Sequence, residues 1–189
     1  MSSLVGKKAP SFRATAIVNG SQTVADFSLE QYVGKKYVVL FFYPADFSPV
    51  CPVELHSFQK KLAEFEKRDT VVVGCSVDSQ FSHLKWLSID KNEGGIKGVT
   101  YPIVSDQTKL IAKEYGVLAG EYSCDGEKPS FTGAPMAYRG LFLIDKAGVV
   151  QHQIVNHFLI TRSVNEVLRV VDALQFTEKN GAACPIEEK

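Results

Sequence analysis

The 189-residue chain is long enough for a single domain with a substantial buried core. Its hydrophobic fraction is 45%, and 21 Lys+Arg balance 21 Asp+Glu, which argues against disorder and against an electrostatic nucleic-acid footprint. No apolar run approaches the roughly 18 residues of a membrane span, and residues 1–8 lack the apolar core of a secretory signal, so a soluble cytoplasmic protein is expected.

Residues 12–17 and 23–29 read as edge strands separated by the Asn19-Gly20 turn signal. Residues 37–43 form a short, continuous apolar run, the signature of a fully buried strand. The spacing of Leu55, Phe58, Leu62 and Phe65 predicts a helix over 52–68. An apolar strand over 71–77 and a helix over 79–90 follow, and the glycines of 92–98 mark a flexible loop. Asp106 is placed to cap a helix through Tyr115 that Gly116 can end. Residues 119–137, with three glycines and two prolines, read as a long loop or insertion. Residues 140–145 and 149–155 predict a hairpin around Lys146-Ala147-Gly148. Ser163 and Glu166 form a capping-box pattern ahead of apolar residues Val164, Val167, Leu168, Val171 and Leu174 at helical spacing. Residues 177–189 read as a polar, mobile tail. Strands and helices in this order favour an α/β sandwich with a mixed sheet, with no internal repeat and no linker.

Four cysteines, Cys51, Cys75, Cys124 and Cys184, stand far apart, without CxxC metal spacing or a dense disulfide framework. Cys51 falls between a buried strand and a helix. There the unpaired backbone N–H groups and the macrodipole favour a thiolate, which makes it a candidate nucleophile. Cys75 lies inside a strand and reads as inert packing. Cys124 reads as exposed; its neighbours Asp125 and Glu121 would raise its pKa, and it is either incidental or an extra redox thiol. The four histidines show no HExxH-type spacing, and Gly94-Gly95 is followed by no Walker-type Lys-Ser/Thr, so neither a metal nor a cofactor is expected.

The stretch Pro44-x-x-x-Ser48-x-x-Cys51 resembles the peroxiredoxin active-site pattern Pro-x-x-x-Thr/Ser-x-x-Cys. Segments 78–86, 101–106, 138–145 and 181–185 resemble the same family in the same order, in its typical 2-Cys branch, which includes the bacterial alkyl hydroperoxide reductase C subunit. The resemblance runs from about residue 6 to residue 185. It implies a thioredoxin-like fold, a central mixed sheet flanked by helices, as a domain over 1–176 with a tail over 177–189. It also implies a thiol-dependent peroxidase for hydrogen peroxide and organic hydroperoxides, with Cys51 as the nucleophile that becomes a sulfenic acid. By the same resemblance Arg139 supplies positive charge, Ser48 orients the peroxide, Pro44 covers the thiolate and Glu54 positions Arg139. Cys184 is the expected resolving thiol, supplied by the partner subunit of a homodimer that can join a ring of dimers. A thioredoxin-like protein or a flavoprotein disulfide reductase would restore the thiols.

Three departures from the family pattern bear on recycling. Pro49 stands where Phe is common, removing a backbone N–H and stiffening a loop that family members must locally unwind; Val53 replaces a common Thr; and 119–137 is longer than the usual connection. The sequence stops five residues after Cys184, without the C-terminal Tyr-Phe helix of overoxidation-prone members, so resistance to sulfinic acid formation is expected. Two rivals are a thioredoxin-type disulfide reductase, which needs the CxxC pair missing here, and a non-enzymatic holdase or signalling adaptor.

Overall fold

The structure, a computed structural model, describes residues 3–126 and 128–184. Nine strands and five α-helices are assigned in them: β1 (Ala14–Val18), β2 (Gln22–Phe27), β3 (Tyr37–Phe42), α1 (Cys51–Lys60), α2 (Leu62–Glu66), β4 (Thr70–Ser76), α3 (Gln80–Leu87), β5 (Ile103–Ser105), α4 (Leu110–Glu114), β6 (Leu118–Asp125), β7 (Lys128–Ala137), β8 (Arg139–Ile144), β9 (Val150–Asn156) and α5 (Val164–Asn180). Seven strands form one mixed sheet in the order β2-β1-β5-β4-β3-β8-β9, and β6 and β7 form a separate two-stranded ribbon. The mixed sheet flanked by helices is the thioredoxin-like α/β architecture expected from the sequence.

β3 explains the layering. Every one of its residues is buried, because it pairs in parallel with β4 on one side and antiparallel with β8 on the other. Side chains alternate across a strand, so Val39, Phe41 and the following Tyr43 enter one core with Cys51, Leu55, Phe58 and Leu168. Val38, Leu40 and Phe42 enter the opposite core with Cys75, Ile111, Tyr115 and Phe142. On the first face Phe41 stacks on Phe58 with ring centroids 4.4 Å apart, and the Tyr101 hydroxyl donates to the Leu55 carbonyl at 3.0 Å. Those contacts fix α1, and with it the residue that starts it.

Several elements differ from the sequence reading. The helix expected over 52–68 is two helices, broken at Lys61 (φ −104°, ψ 7°). The break lets α2 turn Phe65 inward beside Phe58, the rings 6.2 Å apart, which one straight helix with the same apolar spacing did not require. β1 is an interior strand, paired with β2 and with β5; of the two strands expected at an edge, β2 alone is one. Residues 119–137 are a hairpin in place of the expected loop, with Gly126 (φ 64°) in its turn and Gly133 (φ 86°) beside a register shift. Proline is costly in a sheet because it removes a ladder donor, but a strand that is an edge on one side has room for it. Finally, α5 continues through 177–180 before Gly181 (φ 62°) ends it, so the helix occupies the first residues of the expected tail. Residues 185–189 of that tail lie outside the described residues.

The expected flexible loop over 92–98 is a packed buttress. The Trp86 indole donates to the Gly94 carbonyl at 2.9 Å, His56 Nε2 lies 3.1 Å from the Gly95 carbonyl, and Ile96 is fully buried. A Cβ on Gly95 would sit 2.0 Å from the Ile89 carbonyl oxygen, backbone that cannot swing aside. Gly95→Ala should therefore lower stability by about 1–3 kcal/mol in urea denaturation; an unchanged midpoint would show that the loop yields without cost.

Candidate active site

The chain leaves β3 through Tyr43, whose N–H donates to the Cys75 carbonyl at 3.0 Å, and through a buried Pro44. It turns at Phe47, a non-glycine residue held at φ 57°, and enters α1 at Cys51. Cys51 is the first residue of that helix, as the strand-to-helix switch predicted, and it is fully buried. Ser48 is half-buried, and its Oγ accepts the Cys51 N–H at 3.3 Å, one of the donors a helix start leaves open.

Arg139 opens β8 and shares a face with Leu141 and Leu143, the face that carries Cys51. Its Nη1 lies 3.5 Å from Cys51 Sγ and donates to Glu54 Oε2 at 2.8 Å, while its Nε donates to the Phe158 carbonyl at 2.7 Å. Glu54 lies three residues after Cys51, on the same face of α1. Its carboxylate also accepts from the N–H of Arg162 at 3.0 Å, from Arg162 Nε at 2.8 Å and from Arg162 Nη2 at 2.7 Å. Arg162 Nη1 donates in addition to the carbonyls of Phe42 and Gly140, and its guanidinium lies over the Phe41 ring at 5.2 Å.

This buried set contains two guanidiniums and one carboxylate, which leaves one positive charge beside the Cys51 sulfur. Burial by itself would raise the Glu54 pKa, but the hydrogen bonds and charge of Arg162, with the charge of Arg139, outweigh it and hold the carboxyl below the usual range. Charges in so dry a site interact far more strongly than in water. The arrangement can therefore stabilise negative charge as it builds on the sulfur or on an oxygen bound to it.

The family pattern designated AhpC/TSA matches residues 5–153. This chain belongs to the AhpC/TSA family. It is 46% identical over 182 residues to the chloroplastic 2-Cys peroxiredoxin BAS1 of Spinacia oleracea, covering 96% of this chain and 63% of that protein. It is 44% identical over 181 residues to Peroxiredoxin-2 of Bos taurus, covering 96% and 83% respectively. Among solved structures, the reduced 2-Cys peroxiredoxin of Plasmodium vivax superposes with a TM-score of 0.88 at 40% identity, over 100% of this chain and 90% of that one. The chain thus spans a little under two thirds of its spinach relative. Chloroplastic and mitochondrial proteins are among these peroxiredoxins, so they lend the cytoplasmic expectation no support; among the described residues no helix is long and apolar enough to cross a membrane.

The peroxiredoxin fold brings Cys51, Ser48, Arg139 and Glu54 together and leaves Cys184 elsewhere. Helix α5 begins next to Arg162 and runs about 25 Å to its other end, where the Tyr37 hydroxyl bonds the Glu178 carboxylate at the far end of β3. Cys184 is exposed, four residues past that helix. Four extended residues reach about 14 Å, too short to return to the Cys51 of the same chain. Cys75 is fully buried in the opposite core, where burial pushes its thiol well up, the nearby Asp106 adding to the effect. Cys124 is exposed on β6, and its Sγ donates to the Gly126 carbonyl at 3.2 Å.

Arg162 is the residue that the sequence reading missed. One signal was available: it stands immediately before Ser163, the N-cap of α5, where the macrodipole disfavours a cation. A cation placed there implies an anionic partner elsewhere in the chain.

Proposed function

We propose that this chain is a thiol-dependent peroxidase acting on hydrogen peroxide and organic hydroperoxides, with Cys51 as the nucleophile. The observation that carries the reading is the Arg139 guanidinium, 3.5 Å from Cys51 Sγ and anchored by Glu54. The Cys51 thiolate attacks one peroxide oxygen, the S–O bond forms as the O–O bond breaks, and the departing oxygen takes a proton to leave as water or alcohol. Arg139 stabilises charge in that step, Ser48 Oγ orients the peroxide, and buried Pro44 shields the sulfur from water.

The thiol of Cys184 of the partner subunit then attacks the sulfenic sulfur, expelling water and forming an intersubunit disulfide. The distance between the two cysteines within one chain favours this route over an internal disulfide. A dithiol reductant of the thioredoxin type reopens the disulfide by exchange; a relative in Echinococcus granulosus, 42% identical, is named thioredoxin peroxidase. A flavoprotein disulfide reductase is the alternative donor. The working unit is a homodimer, with rings of dimers as the higher assembly.

Peroxide consumption coupled to thioredoxin tests this. Wild type should turn over and run as a covalent dimer on non-reducing gels after peroxide. Cys184→Ser should consume about one equivalent of peroxide, form no such dimer and stop. Sustained turnover in Cys184→Ser would overturn the resolving role.

A further inference from the structure

Asp46 lies in the loop between β3 and α1, and its carboxylate is buried. Three donors converge on it. The Tyr43 hydroxyl reaches Oδ1 at 2.8 Å, and the Ser82 hydroxyl and His83 Nδ1 reach Oδ2 at 2.7 and 2.8 Å. Its own N–H donates to Asp78 Oδ2 at 2.9 Å, an oxygen that also accepts the Ser76 hydroxyl at 2.7 Å. One loop residue is thereby tied to the first turn of α3 and to the end of β4. The His83 ring is fully buried, and its Nε2 has no hydrogen-bond partner among the described residues. A buried polar atom left unsatisfied costs free energy, so this ring is held in place at a cost, with its one bond directed to the loop.

Cys51 is fully buried as well. A thiol from another subunit can meet its sulfur only when the loop opens, and opening must undo the Asp46 contacts. We infer that the Asp46–His83 pair is a latch on the Cys51 loop that sets how fast oxidised Cys51 is handed to the resolving thiol. His83 is a positioning residue, acting through Asp46 and not on peroxide. The inference rests on the reading of Cys51 given above. A tighter latch holds the sulfenic acid in the closed site, where a second peroxide can take it to sulfinic acid; a looser one favours the disulfide.

Trp86, the single tryptophan, reports on this loop, its ring 6.1 Å from Tyr43 and 5.8 Å from Phe47. After mixing with peroxide, its fluorescence should show a first phase that scales with peroxide and a second that does not, the latter being loop opening with disulfide formation. His83→Leu removes the bond to Asp46 and should speed the second phase by about tenfold or more, with the first unchanged and less Cys51 sulfinate by mass spectrometry. His83→Asn sets an amide nitrogen near the place of Nδ1 without the orphaned atom, and should keep the second phase at or below the wild-type rate. Ser82→Ala removes the other donor to Oδ2 without touching the ring and should also speed the second phase; it decides the matter if His83→Leu does not fold. Second phases equal to wild type in these loosened variants, or first phases slowed in step with them, would overturn the latch alone. Absence of both phases in wild type would remove the Cys51 reading and the latch with it.

Discussion

Cys51→Ser should lower peroxide consumption by roughly 10⁴-fold or more, the scale on which enzymes lose rate when a nucleophile is removed, while leaving the fold in place. The substitution exchanges one atom in a fully buried side chain. It leaves the Glu54 contacts to Arg139 and Arg162 untouched, since none of them involves the sulfur. What disappears is the atom able to attack an O–O bond, because a serine hydroxyl is a weak nucleophile and no base is hydrogen-bonded to it here. The measurement is thioredoxin-coupled peroxide loss, with circular dichroism to confirm folding. Turnover within about tenfold of wild type would transfer the chemistry to another thiol. Exposed Cys124 would then be the next to test, since Cys75 is buried in the opposite core.

Glu54→Leu should destabilise the protein by about 3–5 kcal/mol, the usual cost of removing one member of a buried ion pair. The Arg139 and Arg162 side chains are only 2% and 1% exposed, so without the carboxylate two like charges face each other in a dry site. Arg162 retains the Phe42 and Gly140 carbonyls and Arg139 retains that of Phe158, which bounds the loss. Glu54→Gln, which keeps acceptor capacity but not charge, should fall between the variant and wild type.

The same carboxylate sets a pH dependence. Its pKa is lower folded than unfolded, so its contribution is complete above the ordinary glutamate value of about 4.3. That contribution drains away as pH falls through the lowered value. Urea denaturation between neutral pH and about pH 3 should therefore show a shallower acid loss for Glu54→Leu than for wild type. A cost under about 1 kcal/mol at neutral pH would mean that the two arginines find other partners, and would remove Glu54 as their anchor.

Much of the site was legible because its signals are local. The buried run over 37–43, the helical spacing that begins at Leu55 and the cysteine between them predicted the place of Cys51 at a helix start, which the structure bears out. Glu54, by contrast, came only from the family resemblance; α1 then places it three residues after Cys51. The ribbon over 119–137 was read as a loop because its glycines and prolines are the usual marks of one. Whether such residues can sit in strands depends on how many neighbours each strand has, which composition does not state. The break at Lys61 was hidden for a related reason: an apolar spacing of three and four is satisfied equally by one helix or by two at an angle.

By itself, then, the sequence determined most of the element order, the buried strand and the place of Cys51 at a helix start, since propensity, periodicity and helix termini act over a few residues. Tertiary structure alone decided which charges were buried together. Arg162 meets Glu54 across 108 residues and His83 meets Asp46 across 37. In the sequence Arg162, His83 and Asp46 read as ordinary polar residues, and Glu54 gained a role only through the family resemblance. They became a charge clamp and a loop latch only when the sheet closed around them and removed the water that would otherwise have satisfied them.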